Sequence, residues 1–442
     1  MPSLKRKITV TAVTALAVFV QGAVATSTAR ADIQHGHVVG ENPVDNTPHV
    51  LDGTVRGVAV IGDKVIVGGN FSKIQNAATG SPIIEQSHLF AYDKTTGLIE
   101  EDFRPQIVFK PETSPVIYAV APGPDNTVFI GGKFETINGT TAKRLARLNV
   151  STGVVDSRFN RSTIDFGAIT SLVSRGGFLY VSGEFGTITD TVTNERRSNL
   201  ARLDPNTGAL DPAFNIIVSE KRDQAAKLNV RNMAVDQAHT KLLINGTFTQ
   251  VNGESRPQIA MIDLASTPTL SSWATDDYSG KCHPDYYTYM RDMDFSPDGS
   301  YFVVVTTGGP GYGITRLCDS AARWETNRTG PRQSPTWVNY TGGDTLLAVA
   351  VTGAAVYVGG HQRWLDNPQG YNSPGPGAVE RPGIGAIHPE TGLAKDISWN
   401  PTRSLGVGVE AFVAVPEGLI VGSDTDELGH EYHGRIGMFP LP

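Results

Sequence analysis

One seventeen-residue phrase occurs twice in this chain with few changes. It reads RLARLNVSTGVVDSRFN at Arg144–Asn160 and NLARLDPNTGALDPAFN at Asn199–Asn215, 55 positions later. A phenylalanine marks one point of the longer unit around it, with spacings of 63, 51 and 63 residues (Phe71, Phe134, Phe185 and Phe248). The copies of that unit lie at Val65–Phe103, Val128–Asn160, Leu179–Asn215 and Leu242–Ser266. Self-similarity at such a spacing indicates an architecture of repeated supersecondary units.

Weaker copies follow towards the C-terminus. Val356–Gly392 and Leu419–Phe439 keep the order of elements, and Arg291–Ser320 keeps it without the marker phenylalanine. We therefore count seven units. The divergence of the fifth unit leaves totals of six and eight open.

Each unit reads as short strands. VRGVAVIGDKVIVGG contains two β-branched runs joined at Gly62-Asp63, which is typical of a hairpin. LARLNVSTG is an alternating strand that ends in a turn at Gly153, and the D..F phrase follows as a fourth strand. Four strands per unit predict an all-β fold, a β-propeller of seven four-stranded blades.

The two ends of the chain predict how such a ring would close. The last unit stops after its third strand, at His433–Pro440, and an unassigned strand, TPHVLDG, lies near the N-terminus at Thr47–Gly53. We expect this N-terminal strand to complete the last blade, because a closed ring leaves no open sheet edge.

The repeated pattern GG.F..ING....RLARL...TG..D..FN resembles the delta-60 repeat family of β-propellers, which is common in secreted bacterial proteins. The resemblance is specific over Val55–Asp263, weaker over Asp344–Pro442 and poor between them. It implies a propeller fold. It carries no agreed activity, substrate or catalytic residue, so no functional residue is transferred by it.

The N-terminal residues have the features of a secretory signal. Leu4–Lys7 is basic, Ile8–Val20 is apolar, and Ala29–Ala31 has the small residues of a cleavage site. An apolar run of thirteen residues is short of the ~20 that a spanning helix needs, which disfavours the alternative of a membrane anchor. We expect residues 1–31 to be a signal peptide and residues 32–442 one secreted propeller domain. Ala23–Ala25 leaves the cleavage site open.

Charge and cysteine content restrict the partners. Removing four basic residues with the signal takes the formal charge from −7 to −11, and an acidic chain without a basic run disfavours nucleic acid and anionic lipid as ligands. Cys282 and Cys318 are the two cysteines, and in an exported chain they predict one disulfide. Metal ligation by the pair is the weaker alternative. We expect a monomer without a transmembrane anchor.

The first candidate site is the long second-to-third-strand loop at His361–Pro382 of the sixth unit. Its aromatic rings and polar groups are those of a sugar- or peptide-binding site. In the alternative interpretation, Trp364 plugs one end of the propeller and Arg363 pairs with Asp366. The predicted ligand-binding residues are Arg363, Trp364, Asp366, Asn367 and Tyr371.

The second candidate site is the equivalent loop of the seventh unit, Ser423–Gly434. Its carboxylates Asp424, Asp426 and Glu427 suit Ca²⁺, whereas His430 and His433 suit a transition metal. The spacing matches no EF-hand, and a solvated acidic turn is the alternative. The cofactor is left open by the sequence, and calcium is the candidate that we carry forward.

Other segments carry weaker signals. GGPGYG at Gly308–Gly313 resembles a phosphate loop faintly, but no helix follows it, which favours a hairpin. Tyr286, Tyr287 and Tyr289 could extend a stacking surface. The sequence contains no GxSxG or HExxH motif.

These observations favour an extracellular binding or scaffold module over an enzyme. The expected ligand is a glycan, a cell-wall component or a protein segment. The alternative is an extracellular hydrolase or lyase that uses carboxylates such as Asp366, Asp424 or Asp426 with His430 or His433 as acid and base. A purely structural role in a surface assembly is a third possibility.

Overall fold

The computed structural model describes residues 33–109, 114–223, 225, 227–282, 290–309, 316–404, 406 and 408–442. Within these ranges the regular elements are β-strands, apart from one short 3-10 helix at Ala394–Asp396. The all-β prediction is therefore confirmed. The predicted signal peptide and the three tyrosines Tyr286, Tyr287 and Tyr289 lie outside the described residues, as does most of Gly308–Gly313.

Each of the seven predicted units forms one antiparallel sheet, in which the second strand lies between the first and the third. Strands are numbered in chain order. The seven sheets are β2 (Val55–Ile61), β3 (Lys64–Gly69) and β6 (Leu89–Asp93); β8 (Val116–Gly123), β9 (Thr127–Lys133) and β12 (Leu145–Asn149); β14 (Ile169–Arg175), β15 (Phe178–Gly183) and β18 (Leu200–Leu203); β20 (Val230–Val235), β21 (Lys241–Gly246), β24 (Ile259–Asp263) and β25 (Thr269–Leu270); β26 (Met290–Phe295), β27 (Tyr301–Thr306), β28 (Ser320–Glu325) and β29 (Trp337–Tyr340); β30 (Leu346–Val351), β31 (Val356–Gly360) and β34 (Ile384–Ile387); and β35 (Val409–Val415), β36 (Gly418–Ser423) and β39 (Ile436–Pro440).

The predicted fourth strand is complete in two of these sheets, as β25 and β29. In the first three sheets a single bridge stands in its place, for example between Tyr92 and Ile99. The chain leaves the sheet early there because a turn follows at once. In the first sheet the N–H of Phe103 donates to the carbonyl of Glu100, and the Phe103 ring is fully buried.

Small additional sheets form from the second-to-third-strand connections, and in the first four units a strand that precedes the first strand joins them. In the repeated ING phrase, Asn138 and Gly139 have positive φ (51° and 76°), as a two-residue type I′ hairpin requires. The Asn138 carboxamide oxygen also accepts the N–H of Gln106, which ties the hairpin to the preceding connection. The small sheets are β1 (His49–Val50), β4 (Lys73–Gln75) and β5 (Ile83–Glu85); β7 (Ile107–Val108), β10 (Thr136–Ile137) and β11 (Thr140–Thr141); β13 (Ser162–Ile164), β16 (Ile188–Asp190) and β17 (Arg196–Arg197); β19 (Val218–Lys221), β22 (Phe248–Val251) and β23 (Glu254–Ser255); β32 (Trp364–Leu365) and β33 (Val379–Glu380); and β37 (Glu427–Leu428) and β38 (Glu431–Tyr432).

The first strands of consecutive sheets pack against one another along the whole series. β2 contacts β8, and the contacts continue through β14, β20, β26 and β30 to β35, which in turn contacts β2. One buried apolar cluster contains residues of both the first and the last sheet, among them Val58, Val67, Val413 and Met438. The last sheet therefore packs directly on the first.

The pairing predicted for Thr47–Gly53 is wrong. His49 and Val50 pair with Gln75 and Ile74 of β4, in the small sheet of the first unit. The backbone of β4 offers these residues a complementary partner, whereas the free edge of β39 is occupied by an earlier segment. There the N–H of Gly40 donates to the carbonyl of Pro440 at 2.7 Å, and that of Val44 donates to Met438 at 2.9 Å.

A left-handed residue stands immediately before the third strand of every sheet. The φ angles lie between 51° and 76°, a region that is unfavourable for most residues other than glycine. In several sheets the side chain at this position binds a backbone carbonyl just before the next sheet, as Arg144 does to Gly167 at 2.8 Å and Gln258 to Tyr278 at 2.7 Å. The seven residues are His88, Arg144, Asn199, Gln258, Asp319, Gly383 and Arg435.

Arg435 makes the corresponding link between the last sheet and the first. Its Nε donates to the carbonyl of Gly53 and one Nη to that of Val50, both at 3.0 Å. The second link is reinforced by an ion pair with Asp426. The same local device therefore serves the junction between the chain ends and the junctions between consecutive units.

The predicted disulfide between Cys282 and Cys318 is confirmed, with Cα atoms 5.9 Å apart. Both residues are buried in the core of the fifth unit, where Trp273 and Trp324 also pack. The unit that lost the marker phenylalanine thus has a core of different composition. Among the described residues no helix has the length and apolar character needed to cross a membrane.

We predict that Arg435→Ala lowers the free energy of unfolding by about 2 kcal/mol, because the carbonyls of the buried Val50 and the exposed Gly53 lose a charged donor. Thermal or urea unfolding would measure this loss, with one cooperative transition retained. Arg196→Ala, at an exposed position of β17, is the matched control and should change stability by less than about 0.5 kcal/mol. An Arg435→Ala variant as stable as the control would contradict the proposed importance of this junction.

Candidate functional site

The structure pairs Arg363 with Asp344. The Arg363 Nε lies 3.0 Å from one carboxylate oxygen of Asp344, and an Arg363 Nη lies 2.8 Å from the other, so the contact is bidentate. The guanidinium carbon also lies 4.4 Å from the centre of the Trp364 ring. The alternative pairing of Arg363 with Asp366 is therefore wrong, because Asp344 offers both oxygens to the guanidinium.

Asp366 and Asn367 hold the loop together. Asp366 accepts the backbone N–H groups of Ala394 and Lys395, both at 2.9 Å. The fully buried Asn367 side chain donates to the carbonyl of Thr341 at 2.9 Å. These contacts leave the partly buried Trp364 and the exposed Tyr371 as the members of the predicted set with surface to offer a ligand.

The predicted calcium ligands face different partners. Asp424 accepts the N–H of Gly408 at 3.0 Å, Asp426 pairs with Arg435 at 2.6 Å, and Glu427 is exposed. Within the described parts of the chain, no group of three or more His, Cys, Asp or Glu side chains is arranged to hold a metal. The geometry adds no support to the calcium prediction.

The histidines of the predicted acid–base alternative also have separate surroundings. His430 lies beside the Thr402 hydroxyl at 3.2 Å, whereas the buried His433 faces Glu431 at 3.3 Å. Asp366 belongs to the loop of the sixth unit, where it accepts backbone N–H groups.

The two long loops are neighbours, as their adjacent units predict. Arg403, which is buried, donates to the carbonyls of Gly360 and Gly383 in one unit and lies 3.3 Å from the Thr425 hydroxyl in the next. A side chain at position 383 would collide with the Arg403 guanidinium, which explains the glycine there. Burial lowers the pKa of Arg403 to about 10.

The first strands of all seven sheets surround one cavity of about 330 Å³. That volume falls within the size range of small-molecule sites in proteins. Each of these strands pairs with a second strand on one side, so its other edge faces the cavity. The wall therefore combines backbone polar groups with the inward side chains of seven strands.

A β-bulge interrupts every one of these first strands near its start, at the third residue of β8 and at the second residue of the other six. In the first sheet, for example, Val55 pairs with Gly69 and Gly57 with Gly68, so Arg56 is the additional residue. A bulge redirects the side chain of the inserted residue, and bulges are frequent beside functional sites. All seven inserted residues line the cavity; we call them the bulge ring, and they are Arg56, Tyr118, Thr170, Arg231, Arg291, Leu347 and Glu410.

Contacts within the bulge ring follow the order of the sheets. Arg56 pairs with Glu410 across the junction of the first and last sheets at 3.2 Å, and its guanidinium lies 5.8 Å from the centre of the Tyr118 ring. The Thr170 hydroxyl donates to the backbone carbonyl of Arg231 at 2.8 Å. The ring lies where the second strands end, which is the face that also carries the long loops of the last two units.

Below the ring, a polar network crosses four sheets. The Ser171 hydroxyl lies 2.9 Å from Asn232, whose amide donates to Asp292. The other Asp292 oxygen accepts the N–H of Val349 at 3.1 Å, and Asp294 accepts that of Val351 at 2.8 Å. The two buried carboxylates thus satisfy backbone donors on the cavity edge of β30, since an unpaired donor there is costly.

Sequence reasoning missed the bulge ring because it searched long loops for function. A signal was available in the aligned first strands, which read VRGVAV, IYAVAP, ITSLVS, VRNMAV, MRDMDF, LLAVAV and VEAFVA. The second position varies from arginine to glutamate and tyrosine, while its neighbours are mostly apolar or small. When repeated units retain their structural residues and differ at one inward-facing position, the varied positions are typical of a binding surface.

The comparisons with known proteins concern the fold. A family model described as "Domain of unknown function (DUF5122) beta-propeller" matches residues 123–159. This short match agrees with the repeated four-strand sequence pattern and with the series of packed sheets. The fold is a β-propeller. No curated protein matches the chain.

Solved structures with a similar arrangement are distant in sequence. The computationally designed Ika8 protein has 11% identity and a TM-score of 0.44, over 90% of this chain and 98% of its own. Hydrazine synthase of Kuenenia stuttgartiensis has 12% identity and a TM-score of 0.43, over 85% and 93%. The WD40 β-propeller domain of Doa1 has 12% identity and a TM-score of 0.42, over 90% and 97%.

Asp319 is a buried carboxyl near the first long loop of this propeller. Burial raises its pKa to about 7, the N–H of Gly309 opposes the rise, and the negative charge of Asp344 adds to it. Its side chain is nearly inaccessible, and one carboxyl oxygen lacks a hydrogen-bond partner among the described residues. The folded protein therefore holds a proton that the unfolded chain releases near its ordinary pKa.

We predict that this group makes the wild type less stable as the pH rises from about 4 to about 7. Below pH 4 both states carry the proton and no penalty exists. Above pH 7 the penalty is complete, at up to about 4 kcal/mol. Asp319→Asn removes the titrating carboxyl, so the stability of the variant relative to the wild type should increase with pH. Asparagine also tolerates the left-handed backbone at this position. A stability difference that stays constant from pH 4 to 8 would contradict the raised pKa.

Proposed function

We propose that this chain is a secreted binding module, built as one closed propeller of seven blades in residues 32–442. The packing of β35 on β2 and the Arg435 contacts to Gly53 and Val50 support closure. The segment around Gly40 and Val44 adds an edge to the last sheet. In this proposal closure is what creates the central cavity.

The ligand site of the proposed function is the central cavity, entered through the bulge ring. The observation that carries this proposal is that the same bulge recurs in seven first strands and brings all seven inserted residues to the wall of one cavity. Structural needs alone do not require arginine, glutamate and tyrosine at such a position. The expected ligand is a small polar group of a glycan, a cell-wall component or a protein segment.

The long loops of the last two units serve this site from its rim. Trp364 and Tyr371 stand on the loop of the sixth unit, with ring surface left to contact a ligand that extends beyond the cavity. Aromatic rings contribute roughly 1 kcal/mol each in such stacking. Arg403 and the bidentate pair of Arg363 with Asp344 keep the two loops in place.

Export agrees with the chemistry of the chain. The N-terminal signal pattern is the basis of the secretion proposal, and a disulfide between Cys282 and Cys318 is compatible with an oxidising compartment. The absence of a membrane-spanning helix among the described residues is compatible with release.

We predict that Leu347→Trp blocks the site. Leu347 is a partly buried member of the bulge ring, so an indole side chain at this position fills the entrance of the cavity without entering the core. A ligand found by screening residues 32–442 against glycan, wall-polymer and peptide panels should then bind at least about tenfold more weakly, a loss of about 1.4 kcal/mol. Titration calorimetry measures the affinity.

Leu98→Trp is the matched control, because Leu98 is 58% exposed in the turn that follows β6. It makes the same chemical change at a distance from the ring and should leave the affinity unaltered. If folded Leu347→Trp binds the ligand as well as Leu98→Trp does, the cavity is not the ligand site.

A further inference from the structure

The charged groups of the bulge ring are distributed unevenly around the cavity. Three of the seven residues are arginines and one is a glutamate, and Glu410 is paired with Arg56. The two remaining arginines, Arg231 and Arg291, occupy equivalent bulges on the neighbouring strands β20 and β26. Two neighbouring members of the ring are therefore arginines, although the chain as a whole is acidic.

Arg231 has no carboxylate partner in the described parts of the chain. Its partly buried side chain lines the cavity, and its backbone carbonyl, rather than its guanidinium, is the group bound by Thr170. A guanidinium prefers a planar, bidentate acceptor such as a carboxylate. A partly buried guanidinium at a cavity wall is therefore placed to bind such an acceptor.

The nearby acidic groups have other partners. Asp292 and Asp294 are 3% and 2% exposed, and they accept the backbone N–H groups of Val349 and Val351. Glu184 also lines the cavity and lies 3.9 Å from Lys227. Arg231 is thus the ring arginine on this side whose guanidinium we assign to a ligand.

The remaining wall is suited to hydroxyl groups. Ser171 and Asn232 line the cavity next to Arg231, and Thr170 lies above them in the ring. Ser171 and Asn232 already bond to each other, and Asn232 donates to Asp292, but the Ser171 oxygen can still accept and the Asn232 amide can still donate one further hydrogen bond to a sugar hydroxyl. On the other side Tyr118 offers an aromatic face, which is a usual surface for the apolar side of a sugar ring.

We infer that the cavity binds an acidic sugar, a uronic acid residue of a glycan, with its carboxylate on Arg231. Arg291 adds positive charge from the next strand, and Ser171 and Asn232 contact the sugar hydroxyls. This inference rests on the proposed function and specifies its ligand. A peptide carboxylate is the competing occupant, but the density of hydroxyl-binding groups beside Arg231 favours the sugar.

The test uses galacturonic and glucuronic acid disaccharides, each as the free acid and as the neutral methyl ester. We expect at least one free acid to bind residues 32–442 at least about tenfold more tightly than its ester, and this preference to decrease in high salt. Acetylated tripeptides with a free or an amidated C-terminus form the second arm. Binding of the free peptide acids without binding of any uronic acid would overturn the inference.

Arg231→Gln keeps a polar side chain and removes the charge, so it should abolish the preference for acid over ester. Arg231→Lys keeps the charge without the planar fork and should retain part of the preference. Arg196→Gln, on exposed β17, is the control and should bind as the wild type does. An acid preference that survives in folded Arg231→Gln would overturn the inference.

Leu347→Trp separates this inference from the proposed function. If Leu347→Trp abolishes disaccharide binding while the acid and its ester bind the wild type equally well, the cavity is the site and the carboxylate assignment is wrong. If Leu347→Trp leaves the binding of acid and ester unaltered, the cavity itself is not the site and both proposals are wrong.

Discussion

The structure depends on the packing of each first strand against the first strand of the next sheet. These strands pair on one side with their second strands, so their other edges would be open to solvent if the sheets stood apart. An open edge is a template for aggregation, and isolated three-stranded sheets bury little apolar surface. Packing in series buries both faces of each sheet and turns the seven edges towards a shared cavity.

Two local features maintain this arrangement. The second glycine of the GG phrase lets a backbone carbonyl lie where a side chain would be, since a Cβ at Gly132 would stand 2.1 Å from the carbonyl oxygen of Val116. In several sheets the left-handed residue before the third strand then binds the backbone just before the next sheet, as Arg144 and Arg435 do. The repeated sequence therefore encodes the contacts between sheets as well as the sheets themselves.

Much of this fold could be predicted from the sequence because the repeat is explicit. The strands followed from local patterns, and the disulfide followed from the presence of two cysteines in a chain with an export signal. The N-terminal pairing did not, because a two-residue strand such as His49–Val50 has no register signal of its own. Asp366 and Asn367 looked functional in sequence, but their hydrogen bonds to the backbone show that they order a long loop.

The candidate site was harder to predict, because it is formed by one residue from each of seven distant units. Arg56, Tyr118 and Glu410 are far apart in sequence and meet because their strands converge. Packing fixes the residue type at most positions of the repeated unit, so few inward-facing positions are free to vary. The bulge supplies one such position per sheet, at a point where its side chain disturbs neither the sheet nor the core.

Amide hydrogen exchange of the native protein tests the central claim that the first and last sheets join to enclose the cavity. The account predicts that amides in the middle of β2 and β35 are as strongly protected as those of β14 and β20. The reason is that each of these four strands pairs with its own second strand and packs against the first strands of the two adjacent sheets. It also predicts that their protection is lost together in global unfolding. Exchange in β2 and β35 that is faster by orders of magnitude than in β14 and β20 would contradict closure, and with it the enclosed binding site.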